Sequence, residues 1–211
     1  MTERYPDYDI LDKWSSVSFD DKTRAVLTQR LHAVPGRRFF TQTEWDLLEA
    51  LSSRLAPTPE RGGSIPITPW IDKELFEGDT EGFRIEGMPP TLEAWRKGLA
   101  AIEAEAKAAY VRPFAELDSE TQDIFLKRIQ KGEVDPALWR GMDAKRFFGD
   151  ILLKGVVGVY YAHPQAQSEM GFGGPASPRG YVRIGLNEHD PWEAREVRAD
   201  GKPRRSGKTQ R

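Results

Sequence analysis

Three side chains in this 211-residue chain titrate near neutral pH and can bind metals, namely His32, His163 and His189. With Glu169 and Asp190, His163 and His189 supply the donor types of a histidine-carboxylate metal site. Their spacings match no compact metal motif, and His163 precedes Pro164, where it marks the end of a helix. His189-Asp190 also has the residue types of a base and its orienting carboxylate, but no recognisable nucleophile accompanies it. His32 falls at a helix C-terminus, where an imidazolium interacts favourably with the last carbonyls. Gly171-Phe172-Gly173-Gly174 is glycine-rich enough for a phosphate loop. No strand precedes it and Pro175 follows, so neither the dinucleotide fingerprint nor the Walker pattern is met. The acidic pairs Glu103/Glu105 and Asp20/Asp21 fall on polar helix faces or at a helix start.

A different chemistry is left over after this sorting. Tyr160, Tyr161, Phe172, Pro175, Arg179, Tyr181, Arg183 and Trp192 lie in a stretch too rich in proline and glycine to make its own core. Tyr, Trp and Arg supply large contact area and planar hydrogen bonding at protein interfaces. We read this stretch as a partner-binding surface, with catalytic, cofactor-binding and metal-binding residues assigned nowhere in the chain. Two other readings follow from the same residues. One is a free-standing metal-dependent enzyme using His163, His189 and nearby carboxylates. The other is nucleic-acid binding through the basic residues from Lys202 to Arg211.

Helices must position that surface, because start signals for helices recur and strand signals do not. Thr41-Gln42-Thr43-Glu44 has capping-box spacing ahead of Trp45, Leu48, Leu51 and Leu55, which predicts a helix from about 42 to 55. Thr68-Pro69 opens a short helix that Gly78 can stop. Thr91 precedes Leu92, Trp95, Leu99, Ile102, Ala106 and Tyr110, the most regular amphipathic pattern present. Asp118 or Ser119 opens a helix burying Phe125, Leu126 and Ile129, and Asp135-Pro136 starts another. From Asp143, KRFFGDILLKGVVGVYY is apolar on most of its circumference and is expected to be central, with Gly155 and Gly158 allowing close packing. Near the N-terminus, Val26, Leu27, Leu31 and Val34 mark the inner face of one further helix.

The expected fold is therefore all-α, a compact bundle of six to seven helices with an irregular Pro/Gly-rich C-terminal arm. Residues 1–37 form an N-terminal segment with one helix, 38–162 a helical domain and 163–192 the partner-binding arm. Residues 193–211 form a basic tail with seven basic and three acidic residues, read as disordered in isolation. Composition excludes several classes. The sequence contains no Cys, which removes thiol nucleophiles, zinc ribbons and cysteine-held clusters. Lys and Arg number 31 against 33 Asp and Glu, so no general polyanion-binding surface is expected. The longest apolar run, Gly155 to Ala162, is far short of the ~18–20 residues that span a bilayer.

At the order FFTQTEWDLLEAL, TPWIDKEL, FAELDSETQDIFLKRIQKG, AKRFFGDILLKGVVGVYYAHP and GFGGPASPRGY, the chain resembles the gluconate 2-dehydrogenase subunit 3 family over about residues 20 to 193. The resemblance implies a helical, non-catalytic small subunit. Its large partner would belong to the glucose-methanol-choline oxidoreductases, bind FAD and abstract hydride at a hydroxyl of a sugar, glycoside or polyol. Electrons would pass to a cytochrome c or another acceptor. The small subunit would serve folding, cofactor loading or export of the large one, and catalytic residues would reside on that other chain. Phe147-Phe148 and the Tyr161-to-Gly174 stretch match the family's paired phenylalanines, aromatic-x-x-Pro and Gly-rich pattern. The run GGPASPRGYVR is closer to versions accompanying glycoside-oxidising large subunits. Many members open with a twin-arginine signal and this sequence does not, so a cytoplasmic location is expected, with periplasmic co-export alongside a partner as the alternative.

Overall fold

Short polar side chains placed just outside apolar runs open most of the helices. A computed structural model describes residues 4–56, 59, 61–78, 85–175, 180 and 192–197. Its regular structure is helical throughout, as expected for an all-α chain. Asp20 accepts from the Thr23 N–H at the start of α1 (Asp21–His32). Thr41 and Glu44 form the reciprocal capping box of α2 (Gln42–Leu55), with the bounds that the spacing predicts. Two starts differ from expectation. Helix α3 (Ile67–Glu77) begins one residue before Thr68, and α4 (Thr91–Tyr110) begins at Thr91 itself. Pro66 and Pro90 occupy the cap positions, and neither proline has a side-chain acceptor to offer. Asp118 caps α5 (Ser119–Lys131), Asp135 caps α6 (Pro136–Trp139) and Asp143 caps α7 (Ala144–Arg146).

Beyond α7 the chain stays helical through a π-helical segment (Phe147–Leu153) and α8 (Lys154–Ala162). The widened turn puts Phe147, Phe148, Ile151 and Leu152 on the buried side. The expectation of neighbours all round this element is corrected, because Gly149, Asp150, Lys154 and Gly158 are exposed along one side. The expected inner face of α1 is corrected too: Leu27 is buried, whereas Val26 and Val34 are 45% and 48% exposed. After α8 the arm is not wholly irregular, since Pro164–Glu169 form a further helix, α9.

The chain divides into two compact units, one of residues 1–34, 58–65 and 161–211, the other of residues 35–57 and 66–160. In the larger unit a row of edge-to-face and tilted rings runs from Phe39 through Phe40, Trp95 and Phe147 to Trp139, with centroids 5.0, 6.0, 6.2 and 5.9 Å apart. The ring of Phe147 takes the place of a side chain at Gly98, where a Cβ would overlap it. Two buried carboxylates pin the loops of this unit. Asp72 accepts backbone N–H groups of Arg38 (2.7 Å), Phe39 (3.0 Å) and Phe40 (2.8 Å), which fixes the entry to α2. Glu105 accepts the Asp135 N–H at 2.6 Å and the Trp139 indole N–H at 3.3 Å. Arg54 and Asp123 add a two-bonded pair at 2.8 and 2.7 Å between α2 and α5.

Candidate partner interface

Among the described residues of the smaller unit, Ile10, Phe19 and Leu27 form a buried cluster, with Tyr8, Leu11 and Trp14 packed on them. Side chains that bond to backbone do much of the remaining work. A 3₁₀ turn (Ile10–Lys13) starts at Asp9, and its first N–H, on Ile10, donates to Ser168 Oγ at 3.0 Å. The buried Lys13 ammonium donates to the Tyr8 hydroxyl oxygen (2.7 Å) and to the carbonyl of Gly173 (2.9 Å). Tyr8 in turn donates its O–H to the carbonyl of Phe172 at 2.6 Å. Arg61 holds the other side, donating to the carbonyls of Tyr5 and Pro6 while its own N–H reaches Glu169. The Gln165 amide donates to the carbonyls of Arg61 and Gly63.

Between the chain held by Lys13 and the exposed side of α1 lies an open groove of about 290 Å³. Ile10, Phe19 and Leu27 form its apolar floor. Val26 lines it from α1, with Phe172 and Pro175 from the segment after α9. Among the described residues, Lys22 and Arg30 are its charged lining residues and no carboxylate lines it. Arg30 is anchored by donating to the Ala162 carbonyl at 2.8 Å.

The residues proposed from sequence as a partner surface are distributed unevenly. Phe172 and Pro175 both line the groove, and Phe172 is 37% exposed. Tyr161 is exposed, Trp192 is partly buried, and Tyr160 is buried at 3%, too deep to be contacted from outside. Arg179, Tyr181 and Arg183 lie outside the described residues. Lys13 and Arg30 carry no assignment from sequence, and Val26 is placed there on the inner face of α1. Val26 carried a signal, its apolar side chain on a weakly amphipathic helix, but that reads equally as core.

The histidine and glycine readings are resolved locally. His163 caps α9, its Nδ1 accepting the Gln165 N–H at 3.3 Å, and burial followed by the positive charge of Arg30 holds its pKa below the usual imidazole value. Glu169 is turned to the Arg61 N–H, and His189 and Asp190 lie outside the described residues. Among the described residues no group of three or more His, Asp or Glu is placed to hold a metal ion. Gly171 to Gly174 follow a helix, and the loop is held by the carbonyls of Phe172 and Gly173. His32 is the last residue of α1, as expected. Among the described residues no helix is long and apolar enough to cross a membrane.

Compared with known protein families, residues 42–174 match gluconate 2-dehydrogenase subunit 3. The chain belongs to the gluconate 2-dehydrogenase subunit 3 family. No curated protein and no solved structure matches the chain. Within this accessory subunit, the family match begins at the first residue of α2 and ends at Gly174. It thus includes Gln167 and Phe172 of the groove and leaves out α1, whose Lys22, Thr23, Val26, Leu27 and Arg30 form the opposite wall.

Proposed function

We propose that this gluconate 2-dehydrogenase subunit 3 member is a non-catalytic small subunit. It binds and stabilises an FAD-dependent dehydrogenase of the glucose-methanol-choline class, one that oxidises a hydroxyl of a sugar, glycoside or polyol. FAD and the reacting hydroxyl belong to that partner, and electrons leave it for a cytochrome c or another acceptor. The family match over residues 42–174 is the observation that carries this reading. The apolar surface left open by Val26, Tyr161 and Phe172 supports it, because such surface gains free energy when a second polypeptide covers it.

The physical action needs no chemistry on this chain. A subunit that binds only the folded dehydrogenase raises that protein's stability by mass action, about 2.7 kcal/mol when its free concentration is a hundred times Kd. The closely packed larger unit supplies a rigid body, so little ordering entropy is lost there on association.

Co-expression of the full chain with a flavin dehydrogenase of this class tests the reading. The two are expected to copurify with flavin absorbance in the complex, and the dehydrogenase is expected to lose thermal stability when the small subunit is omitted. A chain that stays alone, beside a dehydrogenase equally stable without it, overturns the proposal.

A further inference from the structure

We propose that His163 is a proton-operated latch. Neutral, it caps α9 and lets that helix hold two distant segments, residues 5–13 and 61–63; protonated, it lets both go while the larger unit stays folded. The latch stands apart from the subunit role, since it concerns how this chain holds itself. Three observations carry it, and the first is how much hangs on α9. Ser168 on this helix accepts the Ile10 N–H at 3.0 Å, and Glu169 accepts the Arg61 N–H at 3.1 Å. The Gln165 amide donates to the carbonyls of Arg61 and Gly63. Arg61 in turn donates to the carbonyls of Tyr5 and Pro6, so both segments depend on one helix of six residues.

The second observation is how α9 starts. A helix this short is marginal by itself. Pro164 at its first position brings no N–H, so the first one available belongs to Gln165, and it donates to His163 Nδ1 at 3.3 Å. Only a ring nitrogen free of a proton accepts that bond. A proton on Nδ1 removes the cap and sets one N–H against another.

The third observation is the charge around the ring. The elements joined to α9 and its cap bring Arg30 and His32 from α1, Asp9 and Lys13 from the 3₁₀ turn and its cap, and Arg61 from the 61–63 loop. Arg30 donates to the carbonyl of Ala162, one residue before the ring, and its charge opposes a second cation there. The carboxylates are engaged elsewhere: Asp9 accepts the Leu11 N–H, and Glu169, on α9 itself, accepts the Arg61 N–H. The ring is half-buried, and burial also disfavours its charged form. An opened segment, with an ordinary imidazole near pH 6.5, therefore takes up the proton before the closed one does. Acidification through that pH favours the open form.

Residue-resolved hydrogen exchange on the full chain tests the latch, with protection factors compared at about pH 7.5 and about pH 5.5. Protection at Gln165, Ile10 and Arg61 is expected to fall together, several-fold and by less than about tenfold. That ceiling is set by one proton taken up over the single pH unit below 6.5. The N–H groups of Arg38, Phe39 and Phe40, held by Asp72 in the larger unit, are expected to keep their protection. His163→Asn retains an acceptor and cannot titrate, so its protection at the three reporters is expected to be equal at the two pH values. His32 and His189 still titrate in that variant, which assigns the difference to residue 163. The ring resonances of His163 in the parent, followed by NMR, are expected to titrate with a midpoint below 6.5. An equal acid-induced fall in His163→Asn overturns the latch. So does a fall at Gln165 with Ile10 and Arg61 unmoved, which is a local cap, or one shared by Arg38 to Phe40, which is global unfolding. A ring midpoint at or above 6.5 overturns it without recourse to any variant.

Discussion

The unit of residues 35–57 and 66–160 is closed by packing, whereas the unit of residues 1–34, 58–65 and 161–211 is tied by side chains reaching backbone. In the first, a row of five rings from Phe39 to Trp139 is interlocked, and the buried acids Asp72 and Glu105 both find N–H donors. In the second, Ile10, Phe19 and Leu27 make a small cluster, and Lys13, Ser168, Arg61 and Gln165 hold the strands of chain together. Exposed apolar side chains follow the same division. Val17, Val26, Val34, Tyr161, Met170 and Phe172 belong to the smaller unit; the larger one exposes Phe76, Leu92, Val111 and Ile124. Of these, Phe76 is covered by the Arg38 guanidinium at 4.6 Å. A jigsaw core resists volume change, and a tied surface resists only the loss of its ties.

The contrast is most exposed to challenge at Gly98. Its α4 position would gain helix propensity as Ala, yet the added Cβ meets the Phe147 ring, which is fully buried and lies against Trp95 and Trp139. Overpacking dominates, so Gly98→Ala is expected to cost about 3 kcal/mol, read as a lower urea midpoint. A neutral result would show that the larger unit is looser than its rings suggest. Asp72→Asn comes next. One of two acceptor oxygens becomes an NH₂ facing N–H donors, and a loss of about 2 kcal/mol is expected, again from denaturant unfolding.

Much of the larger unit was readable because its signals are local. The Thr41–Glu44 box and the Asp118 and Asp135 caps lie within three residues of the groups they satisfy, so α2, α5 and α6 start where the chain says they should. The role of Asp72 was not readable, since its donors are 32 to 34 residues away and no spacing rule joins them. The π-helical stretch was hidden for a related reason. Its wider turn serves to bury Phe147 and Phe148 together, a demand of tertiary packing. For the candidate site, the proline- and glycine-broken segment marked Phe172 and Pro175 as interface residues. The facing wall stayed hidden, because Val26 and Leu27 have helical spacing whether one of them is covered or both are.

In the tied unit the expected effects are smaller and local. Ser168→Ala removes the acceptor of the Ile10 N–H and should cost about 1 kcal/mol. Hydrogen exchange should quicken at residues 9–13 and leave the amides of α4 and α5 unchanged. Global acceleration would mean that the two units unfold as one. A gain of similar size is expected in the larger unit from Val111→Gly. Val111 is a β-branched residue at φ 59°, 88% exposed, closing α4 in the left-handed region that glycine adopts without strain. Relief of that strain exceeds the added chain entropy by about 0.5–1 kcal/mol, visible as a raised melting temperature.

The smallest effect separates the units by pH. His163 is half-buried, caps α9 through an unprotonated Nδ1, and has its pKa lowered by burial first and by Arg30 second. The unfolded chain, with an ordinary imidazole near pH 6.5, therefore takes up a proton before the folded one does as pH falls. Stability contributed by neutral His163 is fully present above that pH and declines below it. The decline ends only once the folded imidazole is protonated too. His163→Asn retains a capping acceptor and cannot titrate, so its urea midpoint should hold steady relative to the parent's as pH is lowered from about 7.5 to about 5.5. The parent should lose ground over that window, with faster exchange at residues 164–170 and unchanged exchange in α4. A parent that gains on the variant upon acidification would reverse the sign and place a compensating carboxylate beside the ring.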